Sequence, residues 1–271
     1  MSPSPFRVWG RRIAGAAAIV AALYLSLAYE IAPTYWRHYE RQAGLADKPM
    51  ITHTALGIPG DALNIGLVGR RDDVICAMRA AGWRPADAVT WRSSAEIASS
   101  VLLRRAYPTA PVSDLYYAGR RQDLAFQKAS GASPSTRHHV RLWQVLASGD
   151  EGEPVWLGAA TFDRSVGVSH FTGQVTHHIA PDIDAERDRL AADLAAAGVV
   201  RTTYSVSGVG PTVLARNGGG DPYFTDGEIA MSTLSRDCAT RAEPPVALPN
   251  RPAVEASNAL VRWVRNLWRL L

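Results

Sequence analysis

Histidine is scarce in this chain of 271 residues, and five of its seven copies fall between positions 138 and 178. Four of those form two adjacent pairs, His138-His139 in SPSTRHHVRLW and His177-His178 in QVTHHIAPDIDAERD, with His170 between them. Imidazole is the commonest metal ligand, and it also moves protons near neutral pH. Paired histidines are poor strand formers, so two such pairs point to a site. On a strand, neighbours alternate faces, and one member of each pair could join a single site. His138 would share its face with Val140 and Leu142, and His139 would share the other with Arg141. That pattern makes His139 the solvent-facing member.

The acids after His178 invite a metal reading through Asp182, Asp184 and Glu186. The same acids suit the first turn of a helix, where carboxylates offset the dipole and Asp182 serves as N-cap. A second concentration is the loop NGGGDPYFTDG, residues 217–227. Gly218, Gly219 and Gly220 would present backbone N–H groups to an anion. Asp221 and Asp226 could hold a metal or orient a histidine. The plainer alternative is a wide turn closed by Asp-Pro and Asp-Gly. The candidate acid–base set is therefore His139, His177, His178, Asp221 and Asp226. A divalent metal would draw on His138, His139, His177, His178 and Asp221. Arg121, Arg137 and Arg141, with the three glycines, are the candidate anion ligands, and Arg104, Arg105 and Arg120 add anion-binding capacity. Other signatures fail. The loop lacks the Lys-Ser/Thr of a phosphate loop. His170-Phe171-Thr172 has the His-x-Thr form of a phosphoesterase class that needs a second copy. No Gly-x-Ser-x-Gly, His-Glu-x-x-His or Gly-x-Gly-x-x-Gly stands in a supportive context.

These residues need a scaffold. Strands are predicted over 63–68, 138–146, 155–162, 202–206 and 229–234, with a further stretch from 168 to 179. Residues 114–128 read as a hairpin, LYYA and LAFQK around GRRQD. Helices are expected from Asp72-Asp73 to Gly82, over 93–103, and over 182–197. In the last, Ile183, Leu190, Leu194 and Ala197 form one face and Gly198 closes it. Mixed strands with two or three packing helices make an α+β domain with a largely antiparallel sheet, placed at 61–240. Residues 34–60, rich in turn signals, read as a linker. Its Tyr35, Trp36, Arg37 and Tyr39 suit a membrane–water boundary.

Ahead of the linker, Arg7, Arg11 and Arg12 precede an apolar run over 13–29, and Glu30 and Pro33 end it. Residues 1–33 thus form a signal anchor or transmembrane helix. A cleaved signal cut near Ser26-Leu27-Ala28 and a buried soluble helix are the alternatives. The basic flank keeps the N-terminus cytoplasmic and sends the domain outward, making a single-pass inner-membrane protein with a periplasmic domain. Residues 241–253 read as a Pro-rich linker. Residues 254–271 form a basic amphipathic helix for an anionic membrane surface, or a helix packed on the domain. Formal charge is +4, with no basic stripe interleaved with aromatics, which gives no case for nucleic acid. Cys76 and Cys238 could pair in an oxidising compartment. Their distance in sequence makes two separate thiols the simpler expectation.

Several of these segments together resemble the LssY-like C-terminal domain of bacterial envelope proteins: YPTAPVSDLYYAGRRQDLAFQK, SPSTRHHVRLW, GAATFD, THHIAPDIDAERD and NGGGDPYFTDG. They cover most of residues 61–235. The resemblance implies a membrane context and domain limits, and no reaction. Longer members carry this domain after multi-pass regions similar to lipid phosphatases or DedA-type proteins, and an activity of those regions does not carry over to these residues. Two functions follow: a binding or accessory module for membrane-associated anionic ligands or a membrane-protein partner, and a metal- or His-dependent hydrolase of a phosphoester or lipid-linked substrate.

Overall fold

The computed structural model describes residues 5–31, 40–86, 114–131, 136–171, 173 and 175–250, with the single positions 255, 259 and 263. The chain divides into two units, Met1–Ala46 and Asp47–Leu271. The first holds helix α1, Pro5–Leu25, which continues as a π-helical stretch, Ser26–Ile31. Within it, the 21 residues Arg11–Ile31 are long and apolar enough to cross a membrane. That length corresponds to about 30 Å, the thickness of a hydrocarbon core. Ile13, Ile19, Leu23 and Leu27 all stand exposed along it.

The second unit is built on strands. In chain order they are β1 (Ile51–His53), β2 (Pro59–Ala62), β3 (Ile65–Val68), β4 (Arg84–Pro85), β5 (Tyr116–Tyr117), β6 (Arg120–Arg121), β7 (Leu124–Ala129) and β8 (Arg137–Leu146). Then come β9 (Val155–Val168), β10 (Val175–Ile179), β11 (Val200–Ser207), β12 (Thr212–Arg216), β13 (Pro222–Thr225), β14 (Glu228–Leu234) and β15 (Val246–Ala247). Helix α2 (Arg71–Ala80) follows β3, and α3 (Ile183–Ala196) follows β10. The main sheet runs β15-β11-β14-β3-β9-β8-β7-β4, with β10 on the far end of β9. Among the described residues, only β14–β3 and β11–β15 are parallel within it. The mixed, largely antiparallel α+β reading of the sequence holds.

One face of this sheet is apolar. Ile65 and Leu67 of β3, Val140 and Leu142 of β8, and Trp156 and Ala160 of β9 pack against Val74, Ala77 and Met78 of α2 and Leu190 and Leu194 of α3. Asn64 clamps the layers: its amide donates to the carbonyls of Ala160 and Ile183 and accepts from the Ala160 N–H. Helix α3 starts as its sequence predicts, with Asp182 accepting from the Ala185 N–H at 3.1 Å and Gly198, at φ 70°, ending it. Two charged residues outside the apolar stripe of Ile183, Leu190, Leu194 and Ala197 are buried as well. Asp184 takes the Thr225 hydroxyl and the Asp226 N–H, and Arg187 grips Asp226 with two nitrogens at 2.6 and 3.1 Å. The acids of DIDAERD and FTDG thus lock the helix start to the turn between β13 and β14. Burial, opposed by Arg187, raises the Asp184 carboxyl above its ordinary value.

Other expectations are corrected. Residues 51–53 and 59–60, read as part of the linker, belong to β1 and to the start of β2, because the chain turns a hairpin over Thr54–Ile58, where the Thr54 N–H donates to the Ile58 carbonyl. The hairpin expected over 114–128 is tighter: β5 and β6 pair across Ala118-Gly119, and β7 joins the main sheet against β8. Cys76 on α2 is bonded to Cys238 just after β14, with Cα atoms 5.9 Å apart. The fold brings together two thiols that stand 162 residues apart in sequence. The helix over 93–103, Arg104 and Arg105, and the aromatics at 35, 36 and 39 lie outside the described residues. So does most of the C-terminal helix; Glu255, Ala259 and Trp263 are helical and exposed.

Candidate functional site: a buried arginine–histidine cavity

The opposite face of the sheet turns polar along β8 and β9. Alternation sends Arg137, His139 and Arg141 of β8 to this face, where Thr161 and Asp163 of β9 lie directly across from His139 and Arg137 in the register. His177 of β10 joins them. Loops from β1–β2, β9–β10 and β12–β13 complete a cavity of about 240 Å³, which Asp61 and Asp114 also line. His139 is only 3% exposed, so the residue expected to face solvent is buried in the wall of this partly open cavity instead.

The wall is closely bonded. Arg137 donates from Nε to Asp163 at 3.0 Å and from Nη1 to Gln127 at 3.1 Å. Arg141 Nη1 reaches Asp61 at 3.2 Å and His139 Nε2 at 3.1 Å, and the Thr161 hydroxyl lies 2.7 Å from the same Nε2. A guanidinium can only donate, so His139 Nε2 is the acceptor in its contact with Arg141. Nδ1 lies 3.2 Å from Asp163 Oδ1, and neither atom makes an aligned hydrogen bond. Burial alone would raise the Asp163 carboxyl. His139, His177 and Arg137 outweigh that effect and hold it well below the usual carboxylate range. Burial lowers the Arg141 guanidinium against the pull of Asp61 and Asp163. His177 is pushed down to about 4, chiefly by burial, with Arg137, His139 and Arg141 adding to the effect and Asp163 opposing it. The ring is therefore neutral at pH 7.

Formal charge on this wall balances in pairs: Arg137 with Asp163, Arg141 with Asp61, and Arg121 with Asp114 at 2.8 Å. Arg121, half exposed, thus touches the cavity only through Asp114. The cavity offers donors (the guanidinium groups of Arg137 and Arg141) and acceptors (the carboxylates of Asp61, Asp114 and Asp163) side by side, with two imidazoles able to take either role.

The remaining sequence candidates separate. His138 points to the helix side, 2.8 Å from Glu186 and tilted against the rings of Trp83 and Phe162, and so cannot share a site with His139. Asp226 is held by Arg187, outside the cavity lining. Gly218 and Gly219 line the cavity, but the N–H groups of Gly219 and Gly220 are taken up by Asn217, which leaves neither to cradle an anion. Gly218 is required for another reason: a Cβ there would collide with Thr54 of the β1–β2 hairpin. His178 lies beyond the cavity lining, with Nδ1 2.6 Å from Asp221 Oδ1, while Asp221 Oδ2 accepts the Ile179 N–H. His170, Asp221 and His178 bring one donor atom each within 4.8 Å of one another. Of the metal set read from sequence, only His178 and Asp221 meet, and their third partner is His170.

The family model for the LssY C-terminus matches residues 42–229. The chain belongs to this family. The matched span of the LssY C-terminal domain contains every cavity residue named above. No curated protein and no solved structure matches the chain.

Sequence reasoning missed Asp61, Asp114, Thr161 and Asp163. The last two were legible, because Thr161 and Asp163 alternate with Ala160 and Phe162 in the same period-two pattern as Arg137, His139 and Arg141. Asp61 and Asp114 come from segments whose approach depends on tertiary folding.

Proposed function

We propose that this LssY C-terminal domain is a membrane-anchored binding module that holds a small phosphate-bearing ligand in the cavity behind β8, β9 and β10. The observation that carries the reading is the convergence of Arg137, Arg141, His139 and His177 on one partly open cavity, with Asp61, Asp114 and Asp163 on its lining. Guanidinium and imidazole donors match phosphate oxygens. Because the arginines already have carboxylate partners, a bare anion suits the cavity less well than a phosphate whose other end donates. An ammonium or hydroxyl could then satisfy Asp61 and Asp114. The volume suits a group of headgroup size, below the usual range for drug-sized ligands.

O-phosphoethanolamine is the simplest probe. At a hundredfold excess over Kd it is expected to stabilise the full chain in detergent by about 2.7 kcal/mol, read as a rise in Tm. Inorganic phosphate should do less, and His177→Gln should abolish most of the rise. Equal Tm values with and without the probe would count against the reading.

The module's address rests on two independent features. Arg7, Arg11 and Arg12 flank the N-terminal side of the apolar helix, which favours a cytoplasmic N-terminus. The Cys76–Cys238 bond favours an oxidising compartment. Both support a single-pass inner-membrane protein with its domain outside the cytosol.

A second reading draws on His170, His178 and Asp221, whose donor set of two imidazoles and a carboxylate suits zinc. An ion there would activate water, and the domain would be a hydrolase. A Cβ at Gly167 would collide with His178 Nε2, so the strand keeps this ring in place. Elemental analysis of the full chain purified without chelator is expected to find about one zinc per chain, lost in His178→Ala. A protein free of stoichiometric metal would sink this version.

A further inference from the structure

Among the described residues after Ala46 and up to Asn250, six large hydrophobic side chains stand more than half exposed: Leu56 71%, Val168 55%, Phe171 52%, Val213 53%, Leu214 74% and Val246 56%. Five of the six lie on or beside three loops, and those loops frame the cavity. Leu56 sits in the β1–β2 hairpin and itself lines the cavity, so it marks the mouth. Val168 and Phe171 flank Ser169, another lining residue, at the tip of β9–β10. Val213 and Leu214 belong to β12, which leads into Asn217, Gly218 and Gly219 of the lining. The loops are also tied to one another. The His170 N–H donates to the Gly219 carbonyl at 2.9 Å, and Gly218 abuts Thr54.

Singly exposed apolar residues are ordinary on soluble domains; five on the segments that supply one cavity's lining are not. The arrangement places an apolar rim around a polar floor. A phospholipid has the same order along its axis, with acyl chains below and phosphate above. A domain tethered to a spanning helix works beside such a surface.

We propose that the cavity mouth docks on the bilayer, with Leu56, Val168, Phe171, Val213 and Leu214 entering the interfacial layer, and that the cavity takes up a phospholipid headgroup. This deepens the ligand reading above and rests on it: the phosphate-bearing ligand is the headgroup of a lipid still seated in the membrane. The apolar loops supply the insertion, and the phosphate, drawn between the loops, meets Arg137, Arg141, His139 and His177.

The test uses the full chain in nanodiscs of phosphatidylethanolamine and phosphatidylglycerol. Single cysteines replace Leu56, Phe171, Leu214 or Val246 and carry a bimane label; Cys76 and Cys238 are bonded to each other and do not react. Nitroxide on the lipid near its carbonyl region reads depth. Labels at 56, 171 and 214 are expected to be quenched several-fold more than the label at 246. Equal quenching at all four positions overturns the docking, and continued binding of O-phosphoethanolamine in detergent would then leave the cavity reading intact. Strong rim quenching with no O-phosphoethanolamine binding overturns both the headgroup assignment and the cavity reading. A double Phe171→Ser, Leu214→Ser chain, altered at rim positions outside the cavity lining, guards against label artefacts. It should keep its affinity for O-phosphoethanolamine while protecting its loops less from protease in nanodiscs. Unchanged protection overturns the docking.

Discussion

Replacing Cys76 and Cys238 together with serine is expected to lower the free energy of unfolding by about 2–5 kcal/mol. The bond joins residues 162 apart in sequence, and the chain-entropy model puts the loss for such a loop near 5 kcal/mol. Local structure adds to the effect. Asp237 and Cys238 hold left-handed backbone at φ 52° and 58°, which costs a non-glycine residue about 1–2 kcal/mol. Besides the disulfide to α2, the Asp237 N–H bonded to Asp73 at 2.8 Å, the Arg70 guanidinium on the Asp237 carboxylate at 2.6 Å and Arg236 on Glu153 restrain the segment. Without the disulfide the segment can relax and release the end of β14. Urea unfolding of the oxidised protein, the reduced protein and the double serine variant checks this. Coincident midpoints would show that the bond contributes nothing and would remove one of the two supports for an oxidising compartment.

The second large effect is acid sensitivity from His177. Its folded-state value of about 4 lies below the ordinary 6.5. As pH falls through 6.5 the unfolded chain binds this proton first, so stability declines from there until the folded state protonates near 4, and no further below that. The full displacement is worth roughly 3 kcal/mol, with most of it already lost by about pH 4.5. Asp163 has the opposite sense: its depressed value supplies stability that is present above its ordinary value near 3.8 and lost only at more acid pH. The window between 6.5 and 4.5 therefore belongs to His177 among these two. His177→Gln is expected to flatten the decline between pH 7 and 4.5 by roughly 2–3 kcal/mol, measured by urea unfolding at each pH. Parallel pH profiles for the two proteins would mean the ring titrates normally.

The scaffold was largely legible because its strands carry regular patterns. The run RHHVRLW reads as a strand, and its alternation sorts His138 from His139 correctly. What alternation could not tell is that both faces of β8 are covered. A half-solvated strand was the natural inference, yet helices bury one side and loops bury the other. Helix α3 was legible from Asp182 and Gly198 together with its apolar spacing. Its buried Asp184 and Arg187 were not, since their partners Thr225 and Asp226 are some forty residues on in sequence. The glycine loop drew attention for its backbone donors; the structure instead gives those of Gly219 and Gly220 to Asn217. The disulfide and the contribution of Asp61 depend on which distant segments the sheet order brings together, and parallel β14–β3 pairing leaves no local signature.

The central claim is that a phosphate-bearing group occupies the space between His139, His177 and the two buried arginines. Its most direct measurement is the imidazole NMR signals of the full chain in detergent during titration with O-phosphoethanolamine. The account predicts that the His177 and His139 rings shift saturably and that the bound anion raises the His177 pKa from about 4 towards neutrality. Histidine signals at 139 and 177 that stay fixed through the titration would contradict it.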